Sequence, residues 1–195
     1  MGTAKVIARE GANQESSESG SSAKPSLENL VKEGFGIEIN KQEGTRYEGH
    51  FKDDLKDGHG KLLYELTGDC YEGEWSRDNI HGDGKFSFSN GDVFLGKFRD
   101  NQMFQGILQK VNGDEYAGDF KDDLYDGYSL YKYAIGDSYC GDFVLGKRHG
   151  NGVLKIAATG ENFAGRFEND ELIGGQVLCQ EGEYMGEFAP KTRAF

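Results

Sequence analysis

Three histidines, His59, His81 and His149, each followed by glycine, are expected at equivalent loop positions in different units. Imidazole is a common zinc ligand, but zinc ligands must converge on one point. Histidines in equivalent places of separate units lie spread along an edge, so ring packing or a loop hydrogen bond is the expected role. Two acidic stretches, Lys52-Asp53-Asp54-Leu55-Lys56-Asp57-Gly58 and Lys121-Asp122-Asp123-Leu124-Tyr125-Asp126-Gly127, suggest calcium by composition. A calcium loop needs oxygen ligands at alternate positions, and Leu55 and Leu124 fall where ligands belong. These acids are expected to form turns. Gly82-Asp83-Gly84 has no Lys-Ser/Thr after it and opens no helix, so it does not fit a phosphate cradle. Serine, histidine and acid residues are present, but no nucleophile elbow brings them together. Cys70, Cys140 and Cys179 lie far apart without a C-x-x-C spacing, which points to a reduced, intracellular protein. The expectation is a chain that is not an enzyme and uses no cofactor and no metal.

What those residues share is the frame around them. Aromatics open a five-residue run at Tyr47, Tyr71, Phe94, Tyr116, Tyr139, Phe163 and Tyr184, with steps of 24, 23, 22, 23, 24 and 21 residues. Glycine stands two places on each time, at Gly49, Gly73, Gly96, Gly118, Gly141, Gly165 and Gly186. A second aromatic follows four places on, at Phe51, Trp75, Phe98, Phe120, Phe143, Phe167 and Phe188. A fixed period of this size is the signature of a repeat array, in which each unit contacts its neighbours and no single closed core forms.

Within a unit the side chains alternate. Tyr71, Gly73 and Trp75 share one face and Glu72 and Glu74 the other, which is the period of a strand. A second run alternates likewise, with Phe86 and Phe88 inward and Lys85, Ser87 and Ser89 outward. Leu62 and Tyr64, Tyr131 and Tyr133, Leu154 and Ile156, and Val177 and Cys179 fill the matching inward slots. Each unit is therefore expected to be a hairpin, with the Gly-x-Gly loop at one end and Gly-Asp turning into the next unit at the other. Glycine at the third position is expected to leave room for a ring from the adjacent strand. The fold class that follows is all-β: an elongated single-layer antiparallel sheet of tandem β-hairpins. About fourteen strands at ~4.8 Å would give a twisted ribbon roughly 60 to 70 Å long.

The ends depart from the pattern. Residues 1–25 are polar, small and acidic, and are expected to be a disordered tail. Residues 26–46 are expected to be a cap. It would consist of a short helix over 26–34, with Ser26 as N-cap and Gly34 as stop, followed by half a repeat in which Gly34-Phe35-Gly36 matches Gly58-His59-Gly60. The array proper spans 47–188, and 189–195 forms a C-terminal tail that begins with Ala189-Pro190, where proline cannot extend a ladder.

Charge narrows the partners. Formal net charge is −12 and the pI about 4.8. Nucleic acid demands a basic surface, and anionic lipid demands clustered Lys and Arg, so neither is the expected ligand. No apolar run reaches the ~20 residues of a membrane-spanning helix. Gly2 fits a myristoylation signal but Val6 stands where Ser or Thr is needed, so lipidation is not expected.

The pattern Tyr-Glu-Gly-x-Trp/Phe, spacer, Gly-x-Gly, Gly-Asp resembles the MORN repeat. Tyr71 to Asp92 is its best match and Tyr47 to Asp69 the next, and the resemblance covers residues 34–188. It implies a single-layer hairpin solenoid without catalysis, acting as a scaffold or adaptor. The settings it implies are cytoskeletal assemblies, with the ciliary or flagellar axoneme and its radial spokes favoured. Alternatives it leaves open are a membrane-associated adaptor for acidic phosphoinositides and a regulatory subunit of a separate enzyme. A single-layer sheet leaves its ring-lined face uncovered, and uncovered apolar surface usually marks a partner site. The expected contacts are Tyr47, Phe51, Tyr71, Trp75, Phe94, Phe98, Tyr116, Phe120, Tyr131, Tyr139 and Phe143 on the ring face. Met103, Phe104, Tyr125 and Tyr128 are expected to join them from irregular central loops. The partner would be a helical or extended protein segment, and a homodimer or end-to-end association is a further expectation.

Overall fold

The structure is a computed structural model that describes residues 31–179 and 182–187. Within them lies one antiparallel sheet of fourteen strands, each hydrogen-bonded to the next in chain order. The first seven are β1 (Gly34–Asn40), β2 (Thr45–Lys52), β3 (Leu55–Tyr64), β4 (Cys70–Ser76), β5 (Asn79–Ser87), β6 (Val93–Arg99) and β7 (Gln102–Gln109). The remainder are β8 (Glu115–Lys121), β9 (Leu124–Lys132), β10 (Ser138–Val144), β11 (Lys147–Lys155), β12 (Asn162–Glu168), β13 (Glu171–Cys179) and β14 (Gly182–Glu187). The all-strand, single-layer array expected from the period is what the chain forms. Alternation is as expected too: in β4, Tyr71, Gly73 and Trp75 are buried and Glu72 and Glu74 exposed.

The hairpin turns are not where the glycines suggested. Gly58-His59-Gly60 lies inside β3, and Gly82-Asp83-Gly84 inside β5. The turns are two-residue turns at Asp53-Asp54, Arg77-Asp78, Asp100-Asn101, Asp122-Asp123, Leu145-Gly146 and Asn169-Asp170, where both residues have positive φ. Positive φ at both central residues is the type I′ geometry, whose twist matches the strands it joins. Asp and Asn adopt that backbone readily, and Asp53, Asp54, Asp122 and Asp123 form turns as expected, while Asp57 and Asp126 lie within β3 and β9. The residues left over between turn and Gly-x-Gly enter the second strand as a bulge. Gly49 pairs with Gly60 but Phe51 with Lys56, so three residues of β3 stand opposite His50 alone.

The two short units absorb their deletion in that bulge. In the third, Lys97 pairs with Gln105 and Phe98 with Met103, leaving Phe104 as the single extra residue. The sixth does the same at Arg166–Gly174 and Phe167–Leu172. Both units open with Phe, whereas the longer bulges belong to units opened by Tyr. The tyrosine hydroxyl donates to a carbonyl beside the bulge: Tyr47 to His50 at 2.9 Å, Tyr71 to Glu74 at 2.8 Å, Tyr116 to Asp119 at 2.6 Å and Tyr139 to Asp142 at 3.1 Å.

The capping helix needs correction. Residues 26–30 lie outside the described residues, Val31 to Glu33 have no helical structure, and Gly34 already opens β1. Lys32 donates its N–H to Asp54 Oδ1 (2.7 Å) and accepts from the Asp54 N–H (3.1 Å). Lys56 makes the same pair of bonds with Asp78 one unit later. Residues 32–40 are therefore the second half of a hairpin, and its main-chain ladder takes up the residues where the expected helix was to end.

Leu145 is the turn residue least suited to its backbone, at φ 51° with an exposed side chain. Left-handed backbone costs an ordinary L-residue about 1 kcal/mol more than Asn. Leu145→Asn is expected to raise the urea midpoint by an amount corresponding to about 1 kcal/mol; a lower midpoint would show that the turn is not of this type.

Candidate protein-binding face

The aromatic face builds its own second layer. In the five units opened by Tyr47, Tyr71, Phe94, Tyr116 and Tyr139, the opening ring lies along its own strand, over the glycine two residues on and over that glycine's cross-strand partner. A Cβ on Gly49 would sit 2.4 Å from the Tyr47 hydroxyl and 2.4 Å from Gly60 Cα; one on Gly60 would sit 2.2 Å from the same hydroxyl. The glycine thus makes room for the ring of its own strand, not for one from the adjacent strand. Where the fourth unit has Ser129 in place of glycine, its Oγ hydrogen-bonds the Tyr116 hydroxyl at 2.7 Å, so the departure adds a polar contact and keeps the arrangement.

The fifth-position aromatics fill the gaps between opening rings. Tyr47 meets Phe51 and Trp75, Tyr71 meets Trp75 and Phe98, and Phe94 meets Phe98 and Phe120. Tyr116 then meets Phe120 and Phe143, and Tyr139 meets Phe143 and Phe167. Centroids are 4.9–5.5 Å apart and planes 78–89° apart, an unbroken edge-to-face ladder through five units. Such pairs add about 0.5 to 1.5 kcal/mol each beyond simple burial.

This changes what the face can offer. Of the fifteen expected contact residues, eleven are buried: Tyr47, Phe51, Tyr71, Trp75, Phe94, Phe98, Tyr116, Phe120, Tyr131, Tyr139 and Phe143. They form a floor, closed by one another, and offer little accessible surface. Met103 and Tyr125 are half-buried on the ring face, each opposite the fifth aromatic of its unit, and Tyr125 stacks on Tyr116 at 3.9 Å. Phe104 and Tyr128 are exposed but belong elsewhere: Phe104 is the bulge residue under the Arg99 guanidinium (4.0 Å), and Tyr128 lies on the opposite face.

The accessible relief on the ring face comes from residues of the second strands. Tyr64, Phe86, Phe88, Tyr133 and Leu154 are half-buried along one side of the floor, and Met103, Tyr125 and Leu172 along the other. Cations complete the row opposite the fifth aromatics. Lys32 lies 5.4 Å from the Phe51 ring, Lys56 5.4 Å from Tyr47 and Arg148 5.7 Å from Tyr139. Lys110 lies 5.5 Å from Tyr125 on the other side. The ring quadrupole attracts each of them. Glu38 joins Lys32 and Lys56; burial pushes its carboxyl up, but the Lys32 hydrogen bond and the Lys56 charge outweigh this and hold it below its ordinary value. These cations were not among the expected contacts, although strand parity places them inward.

Carboxylates brace both edges of the sheet. At the turn edge, Asp54, Asp78 and Asp170 accept N–H groups from Lys32, Lys56 and Arg148 of the preceding unit at 2.7–3.0 Å. At the other edge, Asp69, Asp92, Asp114 and Asp137 accept from Ser89, Val111, Ala134 and Ala157 of the following unit at 2.7–2.9 Å. Hydrogen bonds from Thr67 and Ser89 hold Asp69 below its ordinary pKa, as the Ala134 N–H and the Tyr131 hydroxyl do for Asp114. His81 on β5 and His149 on β11 each lie three residues before the glycine paired across the hairpin, but His59 on β3 lies one before it, so the three do not take the equivalent positions expected. Among the described residues no group of His, Cys, Asp and Glu converges to hold a metal.

Comparison with known proteins identifies one repeat family. The MORN repeat family matches residues 47–65, 71–93, 116–138 and 139–157. A search of curated proteins returns no match. Among solved structures, the chain is similar to the TCP domain of SAS-4 (dCPAP) of Drosophila melanogaster, in complex with a proline-rich motif of Ana2 (dSTIL). Identity is 13% over 79% of this chain and 98% of that one, with a TM-score of 0.37, a likeness too slight to carry an argument.

Two outcomes follow from the packed floor. A Cβ on Gly73 would meet Gly84 Cα at 2.5 Å and the Asp83 carbonyl at 2.6 Å, backbone atoms that cannot swing aside. Gly73→Ala is expected to lower stability by about 3 kcal/mol in chemical denaturation; a loss under about 0.5 would show that the strands do not approach so closely at the glycine pair. The second concerns alkali. Burial, reinforced by nearby carboxylates, pushes the Tyr47, Tyr131 and Tyr139 phenols up to about 12. The folded state keeps protons that the unfolded chain loses near pH 10, so stability is full below about pH 10 and falls as pH rises towards 12. Circular dichroism and phenolate absorbance are expected to change together in that window. Complete phenol ionisation near pH 10 with an intact sheet would contradict the burial.

Proposed function

We propose, on the premise that this chain is a MORN-repeat protein, that it is a non-catalytic scaffold or adaptor holding a protein segment on its ring face. MORN repeats are a non-catalytic repeat family. The observation that carries the reading is the half-buried apolar relief, Tyr64, Phe86, Phe88, Met103, Tyr125, Tyr133, Leu154 and Leu172, on a floor of locked rings. A rigid floor with projecting apolar groups suits a helical or extended segment laid across the strands, because little ordering is left to do on binding. The setting proposed is an intracellular cytoskeletal assembly, with the ciliary or flagellar axoneme favoured on family resemblance.

A second reading has one observation in its favour. Lys32, Lys56, Lys110 and Arg148 give the ring face a cationic row on a chain of net charge −12. That row would suit acidic phosphoinositide headgroups. Lys32 and Lys56 already hold Glu38 and Arg148 holds Asp170, which leaves little positive charge uncompensated.

The proposal is tested with Phe88→Glu and Tyr133→Glu, half-buried positions outside the edge-to-face ladder whose fold is checked by circular dichroism, beside the opposite-face control Lys61→Glu. Proteins captured from native extract by wild type are purified and titrated against each variant. Both ring-face changes are expected to weaken the complex about thirtyfold, the ~2 kcal/mol of an interface hot spot, with the control unchanged. Equal affinity across all variants would sink the ring-face reading. Flotation with phosphoinositide vesicles against phosphatidylcholine vesicles at physiological salt favours the lipid reading if the chain floats only with the former.

A further inference from the structure

The face away from the rings is not uniform. One row of its residues, those flanking the paired glycines, can be followed in register across every strand. Over β1–β5 it runs Ile37, Glu48, Lys61, Glu72, Lys85, alternating in charge after the first residue, with Lys61 and Glu72 3.7 Å apart. From Lys85 it passes to Leu95, Ile107, Ala117, Leu130, Cys140 and Val153 on β6–β11, and ends its apolar course at Ala164 on β12. The hairpin is the same in both halves, and Glu and Lys serve at this position in the first two units. Folding therefore does not require the apolar side chains. Leu95, Ile107 and Val153 are 44%, 40% and 42% exposed. Apolar surface that the fold does not need and water does not favour is available for burial against another surface.

We propose that this stripe is a self-association surface, on which a second copy of the chain packs outer face to outer face over β6–β12 about a twofold axis running along the row. This goes beyond the ring-face reading and uses the opposite side of the sheet. The second copy and the axis rest on two observations. Seven strands at ~4.8 Å, three residues deep, make a patch of roughly 700 Å² per copy, close to the ~800 Å² each partner of a stable complex buries. The flanking residues also agree with this axis. It sets Tyr128 opposite Lys132, Asn151 opposite Lys155, and Arg166 opposite Asn162, since each pair lies two residues to either side of the row. The one like-charged pair, Asp119 opposite Glu115, is relieved by Lys132, whose Nζ lies 2.9 Å from Glu115 Oε1. A twofold along the strands would set Asp119 against Asp142 and Lys97 against Arg166, repulsive at both places.

The test is the mass of the full chain by analytical ultracentrifugation at tens of micromolar. Wild type is expected at twice 21.6 kDa. Leu130→Asp, which sets two carboxylates facing each other on the axis, is expected to sediment as a single chain with an unchanged circular dichroism spectrum. Should that variant unfold, Ile107→Lys combined with Val153→Lys, at exposed positions, replaces it. The pair Lys61→Ala and Glu72→Ala in the ionic half is expected to leave the dimer intact. The axis also sets Cys140 opposite its own copy, about one sheet spacing of ~10 Å away. In a Cys70→Ser/Cys179→Ser background, a short bismaleimide is expected to link two chains, and Cys140→Ser to abolish the link. A wild-type monomer, a dimer that survives the stripe variants, or one that fails to cross-link through Cys140 would each overturn the proposal. A monomer would leave the stripe to a different chain or to this chain's own terminal segments.

Discussion

The structure depends on one contact, an aromatic ring lying flat over two glycines that face each other across neighbouring strands. A single-layer sheet has no second sheet or helix to cover its apolar face, so burial has to come from within the layer. Tyr47 over Gly49 and Gly60 achieves this, leaving Tyr47 only 1% exposed. The ring can lie so low only because neither position carries a Cβ. Its height above the sheet then admits a second ring edge-on at each side, and that second ring is shared with the neighbouring unit. Unit-to-unit coupling is therefore built into the element that covers the face, as expected of an array stabilised by nearest-neighbour interfaces.

The same economy explains the acidity. Turn residues of the I′ type favour Asp and Asn, and once in place their carboxylates reach one unit back, as Asp78 reaches the Lys56 N–H. The Gly-Asp turns reach one unit forward, as Asp69 reaches the Ser89 N–H. Main-chain donors that emerge at the edges are satisfied by neighbours, and the sheet is tied along both sides as well as through its rings. Much of the −12 charge is a consequence of how the units are joined, and it implies no cationic partner.

The two faces then divide the work. On one, buried rings form a rigid floor and second-strand residues such as Phe88 and Tyr133 stand above it; on the other, a row that begins as Glu and Lys becomes apolar from Leu95 onward. The floor serves stability. What stands above it, and what lines the far side, is free to serve partners.

Sequence alone determined the period, the strand parity and the number of strands, because ring, glycine and ring recur at spacings of two and four that only an extended, repeating chain can use. It also determined that Asp53 and Asp54 form a turn and no ligand loop, since Leu55 breaks any ligand pattern. Tertiary structure decided the rest. Whether Gly58-His59-Gly60 was a turn or a bulge depended on the register between Gly49 and Gly60, a cross-strand fact with no local signature. Residues 31–33 carry a plausible helical pattern, but the hydrogen bonds Asp54 offers to Lys32 override it from twenty-two positions away. That eleven of the expected contact rings form a closed floor could not be read from their types, because an exposed ring and a ring lying on glycine have the same letters. The apolar stripe was hidden for the same reason: its members are one or two per unit, and only strand pairing sets them side by side.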